Sequence, residues 1–169
     1  MEKEIELNVT NLKSYFSTYT PSLGDLLSLE KFSTGQSNPT YKAIFASGEY
    51  VLRSKPPGKL LKSAHQIERE FRVMKALKGS EVPVPTMIHL SEDHVSPIGR
   101  GFFLMEFSEG RIFWDPAVPE CPLEERKTIY QQMAKVLGCL HNINPTNLGL
   151  ENFGRPGNYF YRQTSRWYE

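Results

Sequence analysis

Hydrophobic residues recur along this chain at two spacings, and the changes between them mark the elements. In NLKSYFSTY, Asn11–Tyr19, the residues Leu12, Tyr15, Phe16 and Tyr19 fall on one side of a short helix closed by Pro21. This helix is expected to cover an edge of the strands that come after it. Leu26–Ser33, Tyr41–Ala46 and Glu49–Arg53 are rich in Leu, Ile, Val and Tyr, with Ser47-Gly48 as a two-residue turn between the second and third. That pattern predicts a three-stranded antiparallel meander. Pro56-Pro57-Gly58 stops it, and Ser63-Ala64-His65-Gln66 reads as a capping box opening a helix to about Lys78. The helix carries an apolar stripe of Ile67, Phe71, Met74 and Leu77, and Gly79 is placed to end it.

Beyond Pro83 and Pro85 the alternation returns in Thr86–Ser91 and Phe102–Ser108, joined through EDHVSPIGRG. The fold class expected is α+β, a five-stranded antiparallel sheet with one packed helix. A stretch rich in turn residues, EGRIFWDPAVPECP, leads to a further helix from about Leu123, with Pro122 suited to its first position. Ile129, Met133, Val136, Leu137 and Leu140 are spaced to form one buried face of it, and it ends near His141-Asn142, before Pro145. Asn158 is expected to cap a last helix, NYFYRQTSRWYE, that is still under way at Glu169.

Composition narrows the function classes. With 169 residues, 39% of them hydrophobic, the chain can bury one core or a small domain and part of a second. A net charge of +1 without blocks of like charge does not favour nucleic acid as a partner. Apolar runs such as FFLM at Phe102–Met105 fall far short of the roughly 18 residues of a membrane span, and the acidic start MEKEIELN is unlike a secretory signal. An intracellular, by default cytoplasmic, location is expected. Cys121 and Cys139 show no metal spacing and read as reduced packing thiols, and the sequon Asn8-Val9-Thr10 then carries little weight.

Candidate chemistry begins at Thr34-Gly35-Gln36-Ser37-Asn38, between the first two strands. Backbone amides with short hydroxyl and amide side chains can line a phosphate cradle, and the same residues make a plain hairpin turn. Both readings stand on this segment alone, since it lacks the three-glycine kinase pattern and the G-x-x-x-x-G-K-[ST] pattern. Arg53 adds a cation near the end of the third strand. If Leu52 faces the packed helix, Arg53 lies on the opposite side of the sheet, beneath the loop. Glu70 sits at the margin of the helix stripe, from which a carboxylate can orient a cation on the neighbouring strand, while Glu68 and Arg69 point more outward. Loop, strand cation and helix acid occur in the order that a kinase-type nucleotide lobe requires.

The segments STGQSNPTY, YVLRSKPPG, AHQIEREFRVMKAL, VPVP, FFLMEFSEGRIFWD and LGLENFGRPGNYFYRQTSRW together resemble the N-terminal part of an aminoglycoside phosphotransferase or choline-kinase-like domain. The resemblance runs from about Leu26 to the last residue and is nearest to the kinase-like domain fused to some acyl-CoA dehydrogenase family members. It implies a protein-kinase-like fold, with a nucleotide-binding lobe over residues 1–107 and the hinge exit and an incomplete helical lobe over 108–169. It further implies that Ser37 and Asn38 lie over the phosphates of ATP or another nucleoside triphosphate. Arg53 takes the place of the kinase lysine and Glu70 is its partner. Met105, Glu106 and Phe107 form the hinge whose backbone meets the adenine. Arg for Lys keeps the charge and changes the geometry of the donor.

The family's H-G-D-x-x-x-x-N stretch, which supplies the proton-accepting Asp and a magnesium ligand, is missing from this sequence. None of Asp25, Asp93 and Asp115 follows a His-Gly pair, and in His141-Asn142-Ile143 the Asp position is Ile143 and the Asn position Leu148. His141 reads as a helix-end group and Asp115, before Pro116, as a turn residue. No catalytic or metal-binding residue is therefore assigned. The expectation is the ATP-binding part of a small-molecule kinase, cut off before its catalytic loop and inactive alone. The alternatives are a kinase-like binding or regulatory module, or a truncated product of a longer phosphotransferase and dehydrogenase fusion. The expected partners are a nucleotide and the missing lobe or dehydrogenase domain, and the dehydrogenase resemblance adds peroxisome and mitochondrion as compartments.

Overall fold

The computed structural model describes residues 7–33, 38–60, 65–155 and 157–168. A leading helix α1 (Val9–Tyr19) precedes strands β1 (Leu26–Lys31), β2 (Thr40–Phe45) and β3 (Gly48–Ser54). Helix α2 (Ile67–Leu77), strands β4 (Met87–Ser91) and β5 (Phe102–Glu106), and helices α3 (Leu123–His141) and α4 (Tyr159–Tyr168) come next. The five strands form one antiparallel sheet in the order β1-β2-β3-β5-β4, so β3 is central. Both register irregularities lie on the outer strands, between Leu26 and Ser28 in β1 and between Met87 and His89 in β4.

Each face of the sheet carries its own helix. Helix α1 is capped by Asn8, whose Oδ1 accepts from the Asn11 amide at 3.1 Å, so the sequon asparagine serves as a helix cap. Its Leu12, Tyr15 and Phe16 pack with Phe45, Leu52, Phe102 and Leu104. It thus covers a face of the sheet and not the edge expected, because its three inward residues are large enough to cover several strands. On the other face Ile67 and Phe71 of α2 close over Phe103. Period-two alternation along β5 sends Phe102 and Leu104 to the α1 face and Phe103 to the α2 face. The sheet is therefore a filled sandwich with two packed helices where one was expected.

Three local expectations are corrected. The two-residue turn between β2 and β3 is Ala46-Ser47, with Phe45 paired to Gly48, one residue earlier than predicted. Leu52 faces α1, which places Arg53 on the α2 side and reverses the expected facing. Helix α2 begins at Ile67 with Gln66 at the N-cap, because His65 has a left-handed φ of 57°. Ser63 and Ala64 of the predicted capping box lie outside the described residues.

The second part of the chain is more open. Helix α3 spans the predicted residues, with Pro122 at its N-cap and not its first position, but none of its residues is buried. The stripe of Met133, Leu137 and Leu140 that periodicity marked for burial is exposed, since no element among the described residues lies over it. Trp114 and Trp167 are also exposed. Asn158 precedes α4 as predicted, with the Arg162 amide bonded to its carbonyl at 3.0 Å, and adopts a φ of 51°. Among the described residues no helix is long and apolar enough to cross a membrane.

Candidate functional site

Arg53 lies one residue from the end of the central strand, and hairpin register sets Thr40 directly across from it on β2. Its Nε donates to Glu70 Oε2 at 2.7 Å and its Nη1 to Thr40 Oγ1 at 3.1 Å. Cation and acid, 17 residues apart in sequence, thus meet on the α2 face. Glu70 comes from the first turn of α2, where the helix dipole favours a carboxylate. Its other oxygen, Oε1, accepts from Asn38 Nδ2 at 3.1 Å, and Asn38 Oδ1 lies 2.8 Å from His65 Nδ1. With the Asn38 oxygen as acceptor, the His65 Nδ1 carries the proton. Thr40 Oγ1 also donates to the Asn38 carbonyl at 3.0 Å.

The network fixes the amide of Asn38, a buried side chain, at the exit of the loop between β1 and β2. Arg53 and Glu70 retain 29% and 38% side-chain exposure, so the pair opens to solvent. Guanidinium carries five N–H donors, and two here are committed to the protein. Held at Nε by Glu70 and at Nη1 by Thr40, it keeps the remaining three donors for an anion. Of the predicted loop residues, Thr34, Gly35, Gln36 and Ser37 lie outside the described residues, while Asn38 joins Arg53 and Glu70.

The predicted hinge residues end β5. Met105 packs beside Phe103 against α2, opposite Val51 and Met87 on the neighbouring strands. Glu106 is tied to Thr86 twice: its amide donates to the Thr86 carbonyl at 2.9 Å, and its Oε2 accepts from the Thr86 amide at 3.2 Å. The hydrogen bonds from Thr86 hold the Glu106 carboxyl below its ordinary range. Phe107 lies outside the strand, with Lys42 Nζ 4.8 Å from the centre of its ring.

A second ion cluster flanks the first. Lys55 Nζ contacts Glu68 Oε1 at 2.5 Å and Asp93 Oδ2 at 2.8 Å, and Asp93 also accepts from the Gly101 amide. Burial works against the Lys55 charge, but the two carboxylates together hold its pKa above the ordinary value. The Lys55 hydrogen bond in turn keeps Asp93 low. Asp93 thus serves as a structural anchor, and Asp115 is the turn residue expected, its Oδ1 accepting from the Ala117 amide at 2.8 Å. Sequence reasoning missed Thr40 and His65. The hairpin register, read with its turn one residue earlier, points to Thr40; nothing local points to His65, which reaches Asn38 across 27 positions.

A family model described as "Phosphotransferase enzyme family" matches residues 28–169. The probable acyl-CoA dehydrogenase IBR3 of Arabidopsis thaliana is 48% identical over 146 residues, which is 83% of this chain and 18% of that protein. Acyl-CoA dehydrogenase family member 10 of Mus musculus is 45% identical over 156 residues, 92% of this chain and 14% of that protein. The chain therefore spans less than a fifth of the length of these relatives. A solved structure from Ralstonia eutropha, of a protein assigned as an aminoglycoside phosphotransferase, superposes with a TM-score of 0.78 at 41% identity, covering 96% of this chain and 46% of its own.

Proposed function

The chain belongs to the phosphotransferase enzyme family, and from that premise we propose that it is the ATP-binding part of a small-molecule kinase. The observation that carries this reading is the 2.7 Å contact between Arg53 and Glu70, tied through Asn38 to the exit of the β1–β2 loop. Arg53 grips a phosphate with the donors that Glu70 and Thr40 do not use, and Glu70 keeps the guanidinium aimed. Asn38, Ser37 and the amides of Thr34, Gly35 and Gln36 complete the cradle. The Glu106 amide is given to Thr86, so the backbone edge that meets the base runs from Phe107 onward. Met105 forms the apolar wall behind it. Residues 1–107 act as the nucleotide lobe and 108–169 as the start of the helical lobe.

When bound, ATP supplies the transferable phosphoryl group. Its transfer needs a positioned Asp and magnesium ligands, and the described residues offer neither beside Arg53: Asp93 is committed to Lys55 and Asp115 to its own turn. The chain alone holds nucleotide and does not transfer phosphate. Calorimetry with ATP and magnesium tests the first half, with binding expected for the chain and lost in Arg53→Ala. Labelled ATP with a panel of hydroxylated acceptors tests the second. Turnover that survives stringent purification and disappears in Arg53→Ala overturns the inactive reading, and a folded chain that ignores ATP overturns the nucleotide reading.

A second reading, a kinase-like binding module, is favoured by the exposed stripe of Met133, Leu137 and Leu140 on α3. Its partner would be further sequence of the longer acyl-CoA dehydrogenase relatives. Pull-down by such sequence without ATP binding selects this reading over the first.

A further inference from the structure

Helix α2 holds Glu70 toward Arg53 from one side, and its opposite side is gripped by a distant part of the chain. Ile67 and Phe71 face the sheet, whereas Arg69 and Arg72 project from the outer surface. The Arg69 guanidinium lies 3.8 Å from the centre of the Phe153 ring, and Arg72 Nη2 donates to the Gly149 carbonyl at 2.8 Å. Both acceptors belong to one folded knot. A 3-10 turn over Pro145–Leu148 ends in Gly149, whose φ of 65° suits a residue without Cβ and points its carbonyl at Arg72. The Leu150 amide then returns to the Pro145 carbonyl at 2.9 Å and the Phe153 amide to the Leu150 carbonyl at 2.9 Å. Between knot and helix lies an open groove of about 520 Å³ bordered by Val73, Leu150 and Phe153. Two arginine heads thus bridge helix and knot beside this groove.

We infer that the Gly149–Phe153 knot clamps the outer face of α2 and makes Arg69 and Arg72 positioning residues for the Arg53–Glu70 pair. A helix advances about 100° per residue, so even a fraction of a residue's rotation swings Glu70 off Arg53. The clamp works from the far side, with the sheet as its anvil. Its effect on nucleotide affinity rests on the reading of Arg53 as a phosphate ligand, whereas its effect on the ion pair does not.

The test tracks the Arg53 Nε–H resonance by NMR and ATP affinity by calorimetry in the whole chain. In Arg69→Ala/Arg72→Ala, and in the milder Phe153→Leu, the resonance is expected to shift and exchange faster, and ATP affinity to fall about fivefold or more. Phe153→Tyr keeps the aromatic face and restores both. An unchanged Arg53 resonance in either folded variant, or an equal loss in Phe153→Tyr and Phe153→Leu, overturns the clamp. Should the double variant fail to fold, the Phe153 pair alone decides. If the unaltered chain ignores ATP while the resonance responds as expected, the nucleotide reading falls and the clamp stands.

Discussion

Arg53 in place of a lysine gives the site a donor with shape as well as charge. Its planar fork engages Glu70 through Nε and Thr40 through Nη1, two contacts fixed in direction by the plane of the group, a constraint that a compact ammonium lacks. Arg53→Lys is expected to retain the pair with Glu70 and weaken ATP binding about tenfold to a hundredfold by calorimetry, the loss of one charge-assisted hydrogen bond. Glu70→Gln leaves fold stability within about 1 kcal/mol by urea titration, because both partners are partly exposed. His89 behaves differently. Burial lowers its pKa from the ordinary 6.5, and Tyr15 Oη lies 2.9 Å from its Nε2. A histidine depressed in the folded chain binds fewer protons there than in the unfolded one, so its contribution is complete above pH 6.5 and is lost as pH falls from 6.5 through the folded value. Urea midpoints measured on both sides of that window should decline on acidification, and His89→Gln should flatten the decline.

At the level of elements, strands and helices were legible because alternation and helical stripes survive in the residues themselves. Facing and register were less so. A turn at Ser47-Gly48 would have set Lys42 across from Arg53, two cations side by side; the real turn, one residue earlier, gives Thr40 that place and lets Lys42 bond Glu49 at 2.7 Å. Alternation also tells Leu52 from Arg53 without saying which helix covers which face, and the leading helix claimed Leu52. Within the candidate site, Arg53, Glu70 and Asn38 could be read from order along the chain, whereas His65 depends on a left-handed backbone that no local pattern signals. Gly24 links the leading helix to β1 at a φ of 70°, and a Cβ there would stand 2.8 Å from that of Ala46. Gly24→Ala should cost about 2–4 kcal/mol in denaturant unfolding, from the left-handed backbone and the overlap together. Gly110→Ala, with nothing within 4 Å, serves as the control and should stay within about 0.5 kcal/mol.

For the molecule as a whole, the stripe on α3 shows where periodicity stops informing. Five apolar positions predicted a buried face, and the face exists, but burial depends on a neighbour that those residues do not encode. Leu137, 52% exposed, should therefore accept lysine with a change within about 0.5 kcal/mol, where a core leucine replaced by a small residue loses about 2–5 kcal/mol. Thermal melts of Leu137→Lys beside Phe103→Ala, which empties a fully buried position between sheet and α2, make the contrast directly. The kinks at Leu26/Ser28 and Met87/His89 carry a consequence for molecules crowded together. They fall on the two borders of the sheet, where an unbroken row of amides and carbonyls would invite a stranger's strand to dock. A row interrupted on both flanks leaves only a short straight template, which disfavours the joining of neighbouring copies edge to edge into fibrils.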